Sequence, residues 1–129
     1  MEKKYIVTIK DAKGTCETSL FSKMAKNGDL QATKISELIN EVVTIKGYAI
    51  CNIETEDKNF NIVYFDTDEF GLISSGSEIF ANSVFEYYGE VKQVRIVEVK
   101  TKKGKTYKAS PMLTSENNEK GNETDDLPF

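Results

Sequence analysis

From Glu41 onward, apolar and polar residues alternate with a period of two. Val43, Ile45, Gly47, Ala49, Cys51 and Ile53 fall on one face; Val42, Thr44, Lys46, Tyr48, Ile50 and Asn52 fall on the other. This is the period of a β-strand with one side on a core, and the small apolar set predicts the core side. Gly47 and Ala49 together predict a sharp bend, as in a strand shared by two sheets. After a turn at residues 56–59, Phe60–Phe65 predicts a second strand antiparallel to the first, and Phe70–Ile73 a short third one.

Ser77 opens a helical pattern. Its hydroxyl suits an N-cap, Glu78 suits the positive end of the helix dipole, and Phe80, Val84 and Tyr87/Tyr88 recur at helical spacing before Gly89 stops the run. Residues 91–100 predict a long strand, with an irregularity at Ile96-Val97 where the alternation changes phase. Lys102-Lys103-Gly104-Lys105 is a tight basic turn, and residues 106–113 predict a last strand that Pro111 marks as an edge or an end.

Ahead of this block, residues 4–10 predict a strand and Asp11–Gly14 a turn. Residues 17–28 predict a short helix that presents Leu20, Phe21 and Met24 on one face, with Gly28 as its stop. Ile35–Ile39 suits either a helical turn or a strand lead-in. Residues 1–40 are therefore expected to form an extension packed on a domain that runs to residue 114.

Residues 115–129 break the pattern. They are polar, have no apolar period and are expected to be disordered, because they cannot bury enough surface to offset the entropy of ordering. From Glu116 on they carry five carboxylates and one lysine, a net charge of −4, which is the net charge of the whole chain. The preceding part is neutral, with 16 residues of each sign, so the overall pI near 5.0 does not exclude a polyanion-binding surface. The chain stops on Asp125-Asp126-Leu127-Pro128-Phe129: a ring and a carboxylate on an acidic stalk, suited to capture by a basic pocket on another protein. An acidic solubility tail with an accidental last residue is the plainer reading.

Chemistry-bearing motifs are sparse. The chain has no histidine, which removes histidine-based triads and His-ligated zinc. No phosphate-loop or dinucleotide glycine pattern is present, and Cys16 and Cys51 form no CxxC pair and predict free thiols. Asp66-x-Asp68 begins like a calcium loop, but Phe70 and Ser77 stand where ligands belong. No cofactor and no metal are expected, and a binding protein is favoured over an enzyme. The N-terminus lacks the apolar run of a secretory signal and no stretch is long enough to span a membrane, so a cytoplasmic location is expected.

The pattern that remains is aromatic residues among cations: Lys46 and Tyr48; Phe60 and Tyr64; Arg95; Lys100, Lys102, Lys103 and Lys105; and Tyr107. Flat rings offer stacking surfaces to unpaired bases, and lysines can follow phosphates. The alternative is that Phe60 and Tyr64 are core and the lysines a solvated surface. Strand, strand, strand, helix, strand, strand is the element order of the oligonucleotide/oligosaccharide-binding barrel, a five-stranded Greek key with its helix between strands three and four. A small α+β sheet is the other candidate.

With this order, the basic hairpin and the Asp125–Phe129 tip, the chain resembles single-stranded DNA-binding proteins of bacteria and their phages. Residues 41–112 look like the small phage-encoded forms of Gram-positive hosts. The resemblance implies cooperative coating of single strands in a bacterial host cell during replication, recombination and repair. It also implies homo-oligomerisation, and recruitment of replication and recombination proteins through the tip. Two rivals stand beside it: an interaction adaptor that binds no DNA, and a small nuclease using Asp66, Asp68 and a metal.

Overall fold

The strand that the others are arranged around is β3, Val42–Thr55. The computed structural model describes residues 5–112, so the acidic tail and its Asp125–Phe129 tip lie outside the described residues. In chain order the other elements are β1 (Tyr5–Gly14), α1 (Ser19–Asn27), β2 (Thr33–Lys34), a single 3-10 turn (Ile35–Glu37), β4 (Asn59–Thr67), β5 (Gly71–Ser75), α2 (Glu78–Tyr87), β6 (Gln93–Thr101) and β7 (Gly104–Pro111). One edge of β3 carries β4. The other carries β6 beside Val42–Thr44 and then β1 beside Gly47–Thr55. β5 follows β4, β2 runs parallel to β5, and β7 pairs with β6. The result is one curled, open sheet, a half-barrel, with a helix on each side.

The expected single apolar face of β3 is corrected by a bulge. Ile45 stands opposite Thr67 and Gly47 opposite Asp66, which leaves Lys46 as an extra residue. One inserted residue in a period of two sends every later side chain to the other face. Val43 and Ile45 thus enter the main core on the α2 side, with Phe65, Ile73, Phe80, Val84, Val94 and Ile96. Ala49, Cys51 and Ile53 point to the α1 side, where Cys16, Val7, Ile9 and Phe21 cover them. Tyr48 and Ile50, expected on the face opposite the apolar set, pack half-buried against the core on the α2 side.

The N-terminal segment joins the sheet as a strand. β1 extends through the expected turn to Gly14, with an extra residue at Lys10 that keeps Val7, Ile9 and Ala12 on the α1 side. The β3 edge supplies the hydrogen bonds that override the local turn preference of Asp11–Gly14. α1 is capped by Thr18, whose hydroxyl accepts from Phe21 N–H at 3.0 Å, and stopped by Gly28 at φ 77°. Its inward residues are Phe21 and Ala25; Leu20, expected on that face, is 66% exposed.

Ser77 caps α2, accepting from Phe80 N–H at 3.2 Å. Phe80, Ala81 and Val84 plug the half-barrel. β5 and β7 do not pair with each other; α2 lies against β7 instead. Ser83 joins the two by donating to the Phe80 carbonyl (2.6 Å) and accepting from Ala109 N–H (2.8 Å). The third strand starts at Gly71 rather than Phe70, because Thr67 Oγ1 holds Phe70 N–H in the turn. The irregularity expected at Ile96-Val97 is absent. β6 and β7 pair without a shift from Val94/Pro111 to Thr101/Gly104, and Val97 and Val99 sit half-buried on the opposite face to Val94 and Ile96.

Candidate nucleic-acid interface

β4 outruns its neighbour. β5 pairs with Val63–Thr67 only, so among the described residues the edge of β4 from Asn59 to Ile62 has no strand partner on that side. Beside this edge lies an open groove of about 810 Å³. Phe60 and Ile62 come from β4, Lys34 and Ile35 from β2 and the 3-10 turn, Ile79 from the start of α2, and Lys105 and Tyr107 from β7. Phe60 is 41% exposed and Ile79 53%, two large apolar side chains on one opening. Ser77 and Thr106 hydroxyls meet at 3.4 Å where α2 and β7 converge on it.

The β6–β7 hairpin forms one end. Its two-residue turn is Lys102-Lys103, with Thr101 Oγ1 bonded to the Gly104 carbonyl (2.9 Å) and to Lys103 N–H (3.2 Å). Lys100 stands directly opposite Lys105 in the ladder, so four ammonium groups project from six consecutive residues. Glu98 offsets one of them at 3.7 Å from Lys105 Nζ, an exposed pair of small energetic weight.

Of the residues that the sequence singles out, the groove gathers Phe60, Lys105 and Tyr107, with Lys100, Lys102 and Lys103 at its hairpin end. Four others lie elsewhere. Lys46 occupies the β3 bulge, 3.3 Å from Asp68 and 3.9 Å from Asp66. Tyr48 packs against Phe85 (4.7 Å), Tyr88 (5.0 Å) and Phe65 (6.5 Å); burial first, then the Asp11 carboxylate, push its phenol pKa up. Tyr64 lies under α1 against Phe21 at 6.4 Å, its pKa raised mainly by burial. Arg95 donates to the Asn40 carbonyl at 2.7 Å and holds the turn where Asn40 has φ 72°.

Sequence reasoning missed Lys34, Ile35 and Ile79. Ile79 carried a usable signal, since it sits off the Phe80/Val84 face of a well-capped helix. Lys34 and Ile35 carried none. Asp66 accepts from Thr15 Oγ1 at 2.7 Å besides facing Lys46, and among the described residues no group of three or more His, Cys, Asp or Glu side chains could hold a metal ion. No helix among them is long and apolar enough to cross a membrane. Comparison with protein-family models, with characterised proteins and with solved structures returns no match.

Proposed function

We propose that the protein binds single-stranded DNA in the groove beside β4, without a catalytic step, and acts as a homo-oligomer. The observation that carries this reading is the exposed Phe60 ring sharing one opening with Tyr107 and the lysine hairpin. Bases stack on rings whatever their sequence, and lysines follow the phosphates. The pairing order supports reading the half-barrel as an oligonucleotide-binding barrel left open. β3 to β7 would be its five strands, with β3 paired to both β4 and β6 and α2 between β5 and β6 in the chain. α2 and the Ser77–Thr106 contact stand where a closing β5–β7 ladder would run. Barrels of this kind bind polymers on strands two and three and on the loops one–two and four–five. Here those are β4, β5, the turn at residues 56–58 and the Lys102-Lys103 turn.

The Asp125–Phe129 tip would recruit replication and recombination proteins, as its likeness to the tips of bacterial and phage single-stranded DNA-binding proteins implies. A phage or mobile-element origin accords with that likeness. The test is a gel shift with single-stranded and duplex DNA of equal length over a salt series. Single-stranded DNA should bind tighter. With about four phosphates neutralised, affinity should fall roughly 50-fold between about 50 and about 200 mM salt. Equal affinity for duplex would overturn the stacking role. No binding to either would favour a protein-interaction adaptor.

A further inference from the structure

Three asparagines meet on one face of the β3–β4 ladder, where the far edge of β4 has no strand partner among the described residues. Asn52 of β3 stands directly opposite Asn61, and Asn59 lies two residues earlier on the same face. Asn52 Nδ2 donates to Asn59 Oδ1 at 2.6 Å, to Asn61 Oδ1 at 3.0 Å and toward the Phe60 carbonyl at 3.4 Å. A main-chain carbonyl can only accept, so this contact sets the orientation of the Asn52 amide. Asn52 in turn draws the oxygens of Asn59 and Asn61 to itself and leaves their Nδ2 groups pointing away. Among the described residues those two NH2 groups have no acceptor. Both side chains are exposed, and Asn61 lines the groove. Because both oxygens converge on one nitrogen, the two amides sit closer together than the roughly 7 Å strand repeat.

These are neutral donors with preset direction. Their surroundings disfavour phosphate, since Glu54 stands opposite Asn59 and Glu78 lines the same groove. They lie on the other face of β4 from the Phe60 ring, at the same edge. A strand crossing that edge meets the ring with one base and the amides with the next. We infer that Asn59 and Asn61 donate to base carbonyls and make the groove prefer thymine or uracil, which carry two carbonyls, over adenine, whose ring-nitrogen acceptors flank an amine that can only donate. This rests on the DNA-binding reading of the groove.

The test compares oligo-dT with an oligonucleotide of difluorotoluene nucleosides, which keep the shape and stacking of thymine but replace its carbonyls by fluorine. The protein should bind oligo-dT about tenfold tighter. The Asn59→Ala/Asn61→Ala double variant should lose that ratio while keeping its affinity for the difluorotoluene strand. Equal binding of both strands by the unaltered protein would overturn the inference and leave the groove as a DNA site. So would a double variant that weakens both equally. An unaltered protein that binds neither strand would overturn the DNA-binding reading itself, and this inference with it.

Discussion

Gly14 and Gly47 stand directly opposite each other in the β1–β3 ladder, and neither has room for a side chain. A Cβ on Gly47 would lie 2.5 Å from Thr15 N and 2.6 Å from the Lys13 carbonyl; one on Gly14 would lie 2.3 Å from the Lys46 carbonyl. The close approach follows the β3 bulge immediately, where Thr15 N–H donates to the displaced Lys46 carbonyl at 3.3 Å. Gly47→Ala should therefore cost about 1–3 kcal/mol, because backbone rather than a flexible side chain must move. Urea unfolding reads this directly, and an unchanged midpoint would contradict the close approach.

Ser83→Ala should cost about 1–3 kcal/mol, more than a lost methyl-sized contact. Its hydroxyl is the partner of the buried Ala109 N–H, which alanine leaves without an acceptor. Thermal unfolding gives the magnitude. Hydrogen exchange at Ala109 gives the location, and should speed up in the variant; unchanged exchange there would argue against the α2–β7 bond.

The two thiols make a prediction about pH. Burial, then the charges of Asp66 and Cys51, push the Cys16 pKa up to about 12, and burial pushes that of Cys51 to about 11, against an ordinary 9.0. The folded state holds these protons more tightly than the unfolded chain. Their stabilising contribution is thus full below pH 9 and declines as pH rises from about 9 toward 11–12. Tyr48, Tyr64 and Tyr88 are shifted in the same direction and add to the decline at its upper end. Near pH 8 a disulfide reagent should modify neither cysteine of the folded protein and both in denaturant. Prompt labelling without denaturant would refute their burial.

Phe60→Ala should weaken oligo-dT binding by roughly 10- to 100-fold, the loss of about one stacked base. Charge reversal of Lys102, Lys103 and Lys105 together should weaken it further and flatten its salt dependence. Lys46→Ala should leave it unchanged, since Asp66 and Asp68 already hold that ammonium away from the groove. If Lys46→Ala proved the damaging change while the folded hairpin variant bound normally, the interface would lie on the bulge side of β3.

Removing residues 116–129 takes away a net charge of −4. An acidic segment tethered to a cationic groove competes with DNA at high local concentration. Oligo-dT should therefore bind the truncated protein equally well or more tightly, with the gain confined to low salt. Loss of DNA binding on truncation would make the tail part of the binding domain.

Local chemistry alone determined much of this protein. The Ser77 cap with Glu78 and the Phe80/Val84 spacing specify α2. Thr18 and Gly28 bound α1, and Lys102-Lys103-Gly104 is a turn signal between two strand patterns. These signals span a few residues, and short-range hydrogen bonds and backbone sterics suffice to fulfil them. Which way each side chain faces was settled elsewhere. A strand's periodicity says that two faces differ but not where one extra residue will exchange them. The bulge at Lys46 lies where β3 passes from pairing with β6 to pairing with β1. That single residue sent Tyr48 against the α2-side core and Cys51 under α1. The groove is likewise a product of packing. Phe60, Ile79 and Tyr107 are far apart in the chain and share an opening only because β4 outruns β5 and α2 stands between β5 and β7. No local preference encodes that relation, since it arises from how lengths and registers of distant elements match when they close on one core.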